Sequence, residues 1–383
     1  MRQAAIRILA VVLCGLGTSI FAVPAANADA IRDKQWHLNY LNVTAAHAQS
    51  QGEGVTVAVV DSGVNGSHPD LAGNVLAGID VSGAGAPNGL EDLDGHGTAM
   101  ASLIAGHGHG NSDGVLGIAP HVKIFPVRDD RGTGPTPESI VAGVNAAVRS
   151  GAKVISISQG GSDVPALRAA IESGLAADAV VVAAMGNKPK QTLADFPASY
   201  DGVVAVGAID QNGNVASVSV TGNAMVLSAP GMRIVSADKT GYSIGDGTSA
   251  STAIVAGAAA LVRSKYPNLS AKEVVHRLTA TATDKGAPGR DPQYGYGIVN
   301  LVAALTANVP PLTPSAGPSQ TKESTPGQTK KTMPPANAAG QGNRKTAGSN
   351  SGLIVAVSIA VVLVAAGVVS WFLLRRRPQT PAT

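Results

Sequence analysis

The sequence predicts a three-layer α/β protein: a mostly parallel sheet with helices on both faces. Three observations carry that prediction. First, short runs of Val, Ile and Ala recur with little polar interruption: "VTVAVVDSG", "KIFPVR", "KVISISQ", "AVVVAAMGN" and "GVVAVGAI". Runs of this kind are strands buried on both faces, as in a parallel sheet. Second, helical patterns lie between them, and such alternation builds layered α/β folds. Third, polar residues gather where the runs end, and sheets of this class bind ligands at the carboxyl ends of their strands.

In chain order, the 383 residues open with Arg2 and Arg7, the apolar run "ILAVVLCGLGTSIFAV" and the small-residue stretch "PAANADA". That is the layout of a secretory signal peptide over residues 1–30, with cleavage after Ala28 or Ala30. Cys14, the single cysteine, lies inside it and follows Leu13, which argues against lipoprotein-type cleavage. The mature chain then has no disulfide, and its core alone must hold it. Residues 31–307 are long enough for one such domain.

Within that domain the strand "VTVAVV" delivers Asp61 at its end. "DGHGTAMASLIAG" sets His96 among glycines at the start of a small-residue helix, after which "KIFPVR" returns to a strand. "TPESIVAGVNAAVRSG" has apolar positions at helical spacing and ends in Arg and Gly signals. Three more strand runs follow, and then "GDGTSASTAIVAGAAALVRSKY" places Ser249 near the start of a long helix. "LSAKEVVHRLTATA" opens a helix with a capping box, Ser270 and Glu273.

Residues 308–352 are rich in Pro, Gly, Ser, Thr and Lys and poor in apolar residues, so they are expected to be a disordered tether. Residues 353–374, "LIVAVSIAVVLVAAGVVSWFLL", are 22 uncharged residues, enough to span a bilayer. Trp371 sits near the boundary and Arg375–Arg377 follow at once, which keeps residues 375–383 in the cytoplasm. One C-terminal transmembrane helix is therefore expected, with the bulk of the chain outside the cell membrane. The net charge of +3 combines a basic tether with a balanced domain and carries no nucleic-acid signal.

Asp61, His96 and Ser249 are an acid, an imidazole and a hydroxyl, each within two residues of a glycine and each at an element boundary. A serine hydroxyl is a weak nucleophile until a neutral imidazole takes its proton. A carboxylate on the other ring nitrogen fixes the tautomer and stabilises the imidazolium. A helix N-terminus adds free N–H groups and a positive dipole end, which suit a nucleophile whose attack creates an oxyanion.

The segments "VAVVDSGVNGSHPDL", "DGHGTAMASLIAG" and "GTSASTAIVAGAAALV" resemble the three signature segments of the subtilisin-like serine proteases. The likeness runs over about residues 35–305 and includes the closing "YGYGIVNLVAAL". It implies a subtilisin-like fold and the roles of Asp61 as orienting acid, His96 as general base and acid, and Ser249 as nucleophile. "VVAAMGN" is similar to the family strand that ends in the oxyanion asparagine, which gives that role to Asn187. No cofactor is implied. The combination of signal peptide, protease domain, Pro-rich tether and C-terminal membrane helix resembles the mycosins, membrane-anchored proteases of actinobacterial type VII secretion. Only about 30 residues separate the cleavage site from Asp61, too few for a folded inhibitory pro-domain. Protein or peptide substrates and a type VII secretion membrane complex are the implied partners.

The resemblance also marks a cleft. "SISQGG" matches the edge that pairs with extended substrate, giving Ser158, Gln159 and Gly160, with Gln159 where an aliphatic residue is usual. "DDRGTG" matches the opposing edge, with the backbone of Gly132, Thr133 and Gly134 free and with Asp129 and Asp130 as ordinary loop acids. Asp195, before the pair Phe196–Pro197, falls at the base of the pocket for the residue preceding the cut bond. A substrate Lys or Arg, the nearby Lys188, or plain solvent are the three alternatives for meeting its charge. Asp70 and Asn111 fall near family calcium positions, but six or more oxygen ligands are not identifiable and no metal site is expected. Against the protease reading stand two others. An esterase would need a G-x-S-x-G elbow, which Ser249 lacks. A structural subunit that stabilises a secretion complex would not need all four catalytic residues.

Overall fold

The computed structural model describes residues 31–85, 88–110 and 113–312. The signal segment 1–30, the tether beyond residue 312, the membrane segment 353–374 and the tail 375–383 lie outside the described residues. Among the described residues no helix is long and apolar enough to cross a membrane.

The central sheet contains β1 (Thr56–Asp61), β2 (Ile79–Asp80), β5 (Lys123–Arg128), β6 (Val154–Ile157), β7 (Val180–Ala184), β8 (Val204–Ile209) and β9 (Leu227–Pro230). Their order across the sheet is β2-β5-β1-β6-β7-β8-β9, and every pairing is parallel. All five strand runs read from the sequence are in it. Two antiparallel hairpins complete the strands: β3 (His107–His109) with β4 (Asp113–Leu116), and β10 (Ile234–Ala237) with β11 (Tyr242–Gly245).

The strand alternation builds the two outer layers. Val57 and Val59 face one side of the sheet, where they pack with α3 (His96–Ala105), α6 (Thr248–Lys265), α7 (Ala271–Ala280) and α8 (Leu301–Thr306). The short helices α1 (Trp36–Tyr40) and α2 (Val43–His47) add to this side. Ala58 and Val60 face the other side and pack with α4 (Pro137–Arg149) and α5 (Pro165–Ala176). The helix starts follow local chemistry. Thr136 and Ser139 form a capping box on α4, and Ser270 and Glu273 form the expected one on α7.

Two features position the site. β1 is flanked by β5 on one side and β6 on the other, so the chain changes its direction of winding there, and Asp61 ends β1 at that point. Helix α6 is buried along most of its length and carries Ser249 in its first turn. His37 on α1 is fully buried, neither ring nitrogen has a hydrogen-bond partner among the described residues, and burial pushes its pKa down to about 3.

Candidate active site

Asp61 is 2% exposed at the end of β1. Its Oδ1 accepts from the Ser62 backbone N–H at 2.8 Å and lies 2.8 Å from His96 Nδ1. His96 is the first residue of α3, entered through Gly95 at φ 94°, a left-handed turn that favours glycine. Gly97 must also be glycine, because a Cβ there would run into the Gly63 carbonyl. Beside Asp61, the imidazole is held protonated to about pH 9, against an opposing pull from burial.

The start of α3 is locked by residues that the sequence reading did not reach. Asp92 accepts from Gly95 N–H at 2.9 Å, Thr98 N–H at 2.8 Å, Thr98 Oγ1 at 2.6 Å and Ser62 Oγ at 2.9 Å. The Ser62 hydroxyl in turn accepts from Gly97 N–H at 2.9 Å. A carboxylate at a helix N-terminus satisfies orphan donors and the dipole together. The available signal was an acid four residues before His96, at a predicted helix start.

Ser249 is half-buried in the first turn of α6. Its hydroxyl donates to the Ser158 carbonyl at 3.0 Å, and the Ser158 hydroxyl donates back to the Ser249 carbonyl at 3.1 Å. The Ser249 hydroxyl thus rests on the segment that follows β6. Asn187 follows β7, and its Oδ1 accepts from Thr248 N–H at 2.9 Å and Thr248 Oγ1 at 3.2 Å. Because Thr248 N–H is a donor, the atom facing it is the amide oxygen, and Asn187 Nδ2 remains as a donor beside Gly247. His96, Asn187 and Ser249 line one cavity of about 400 Å³, with Ala99, Met100, Ile234 and Gly245. A larger hollow of about 600 Å³, between the α1–α2 region and α8, touches none of the three.

The family model for the subtilase family matches residues 52–297. The chain belongs to the subtilase family. Subtilisin DY of Bacillus licheniformis is 40% identical over 261 residues, which are 66% of this chain and 92% of that protein. Two solved structures carry the fold similarity. The MycP3 protease of the type VII (ESX-3) secretion system has a TM-score of 0.64 and 34% identity, covering 74% of this chain and 90% of that one. MycP1 from Mycobacterium smegmatis has a TM-score of 0.64 and 31% identity, covering 79% of this chain and 91% of that one. The subtilase is therefore a serine protease whose structural neighbours are mycosins.

The cleft of this subtilase departs from the sequence reading in several places. The Gly132, Thr133 and Gly134 backbone donors are not free: all three N–H groups donate to Asp130 Oδ1, at 2.8, 3.1 and 2.9 Å. Asp130 is the organiser of that loop, and both it and Asp129 are buried, at 6% and 2% exposure, so neither is an ordinary loop acid. A short loop must satisfy its own donors, and one carboxylate oxygen does so here. Opposite, Gly161 exchanges both backbone hydrogen bonds with Phe196, at 2.8 and 3.2 Å, which pins the end of segment 158–161. Asp195 lies against Gly160, where a Cβ would stand 2.6 Å from its own. Burial raises the Asp195 carboxyl, while Gln191 and Lys190 pull it down; neither is a partner that the sequence reading weighed. Asp70 spends both oxygens, on His109 Nδ1 at 2.6 Å and Val115 N–H at 2.7 Å, and Asn111 lies outside the described residues.

Proposed function

We propose that this subtilase is a membrane-anchored, extracytoplasmic endopeptidase that cuts secreted or envelope proteins in association with type VII secretion. Asp61, His96 and Ser249 act as the triad and Asn187 as the oxyanion donor. The observation that carries this reading is the 2.8 Å pair of Asp61 and His96 at the edge of the cavity that Ser249 and Asn187 also line. With substrate bound, rotation of the Ser249 hydroxyl from the Ser158 carbonyl to His96 Nε2 passes its proton to the imidazole. The oxygen attacks the scissile carbonyl, and Asp61 stabilises the imidazolium through Nδ1. Asn187 Nδ2 and the Ser249 N–H meet the oxyanion. His96 then returns the proton to the departing amine.

The secretion role rests on the mycosin neighbours, and the anchor rests on the apolar segment 353–374 before Arg375–Arg377. A fluorophosphonate probe should label the full chain but not Ser249→Ala. Truncation before Leu353 should release an active protein into the medium; continued membrane attachment refutes the single anchor. Comparing the N-termini of exported proteins from wild-type and Ser249→Ala cells identifies the substrates. Identical sets of termini would favour the structural-subunit reading.

A further inference from the structure

Three strand ends meet beside the active site, and two side chains there have no place in the mechanism above. Asp129 follows β5, and its N–H donates to the Asp61 carbonyl at 2.9 Å. Its Cβ lies beside α4, where a Cβ on Gly143 would stand 3.6 Å from it. At 2% exposure, its Oδ1 has no hydrogen-bond partner among the described residues. Its Oδ2 accepts from the Gln159 side-chain amide. The same amide nitrogen donates to the Val60 carbonyl at 3.3 Å, one residue before Asp61. Gln159 in turn follows Ser158, which holds Ser249 through two hydrogen bonds.

We propose that Asp129 and Gln159 are positioning residues, a polar brace under the strand ends that fixes segment 158–160 against β1 and, through Ser158, sets where the Ser249 hydroxyl rests. This rests on the protease reading above. The brace works as a neutral pair. Among the described residues no cation meets Asp129: the adjacent Arg128 spends its guanidinium on Glu91 at 2.8 Å, Asp80 at 3.8 Å and the Asp130 carbonyl at 3.1 Å. The charges that do face Asp129 are Asp61 and Asp130, both negative, and Gly143 of α4 has none to offer. Burial first, and then Asp61, push its carboxyl well above the usual range. A protonated Asp129 still accepts from Gln159 and adds no second charge beside Asp61. An aliphatic pair would fill the same space but would not tie segment 158–160 to the Val60 carbonyl.

The experiment uses the full chain, a hexapeptide substrate, a single-residue ester and the variants Asp129→Leu, Gln159→Leu and Asp129→Asn. The two Leu variants should raise KM for the hexapeptide about tenfold, the worth of one buried hydrogen bond, and change KM for the ester little. Asp129→Asn keeps an acceptor for Gln159 and should restore KM to within about twofold of wild type, as a neutral mimic. It should also melt above wild type, by a margin that widens as pH rises above the ordinary carboxylate range. There the unfolded wild type gives up a proton that burial favours keeping on the folded carboxyl, so wild-type stability falls as pH rises. Wild-type KM in both Leu variants, an Asn variant as impaired as Leu, or a margin that does not change with pH each overturns the brace. Absence of fluorophosphonate labelling in the wild type would instead refute the protease reading, and the melting comparison would still judge the brace.

Discussion

His96 Nδ1 and Asp61 Oδ1 are 2.8 Å apart, and the carboxylate is buried while 40% of the imidazole side chain is open to solvent. A buried carboxylate facing one edge of a half-open ring fixes the tautomer and leaves Nε2 free to work in the cavity. Ser249→Ala, His96→Ala and Asp61→Asn should each lower kcat by about 10⁴- to 10⁶-fold, the range known for subtilisin itself, and double variants should lose little more. Additive losses in single-turnover assays would refute the unit.

The same pair sets the pH profile. Asp61 raises the His96 pKa to about 9, and only the neutral ring accepts the Ser249 proton. kcat/KM should therefore climb through neutral pH into the alkaline range, with its acid limb above 6.5. Asp61→Asn should move that limb downward. The stability contributed by the pair has the opposite sense: it is fully present below the unfolded value of 6.5 and is lost as pH rises through 9. Melting curves between pH 6 and pH 10 read this directly.

His37 contributes on the acid side. Its folded pKa of about 3 lies below the unfolded 6.5, so the unfolded chain binds a proton that the native chain refuses. Stability from this site is present above 6.5 and is lost as pH falls, by about 2 kcal/mol at pH 5. His37→Leu should narrow the gap between melting points at pH 5 and pH 7. An unchanged gap would show that another group sets the acid limit.

Asp195 is the candidate for reading the residue before the cut bond. Its carboxylate lies against Gly160, but Lys190 and Gln191 already act on it. A preference for Lys or Arg at that position is expected to be modest, up to about fivefold, because a partly exposed ion pair is worth ~1 kcal/mol or less. A peptide library profiled on wild type and Asp195→Ala should show the preference in the first and lose it in the second. A preference that survives in the variant would place the selecting group elsewhere.

The sequence by itself determined five of the seven strands of the central sheet and the capping box of α7, and it nominated the residues of the candidate site, Asn187 through the family resemblance. Each is a local pattern: uninterrupted β-branched runs for β1, β6, β7 and β8, a capping box for α7, glycine-flanked boundaries for His96 and Ser249. Hairpins β3–β4 and β10–β11 carried no such signal, and neither did the short helices α1 and α2, because packing holds them more than propensity does. Tertiary structure alone decided the polar details. Whether the Gly132–Gly134 donors are free depends on where Asp130 turns, and whether Asp129 is charged depends on which groups meet it. Gln159 reads as a lone oddity until β1, β5 and β6 are side by side. The resting direction of the Ser249 hydroxyl is set by Ser158, 91 residues away in the chain. A residue's type is written locally, but its hydrogen-bond partner and protonation state are fixed by neighbours that only the folded chain brings within about 3 Å.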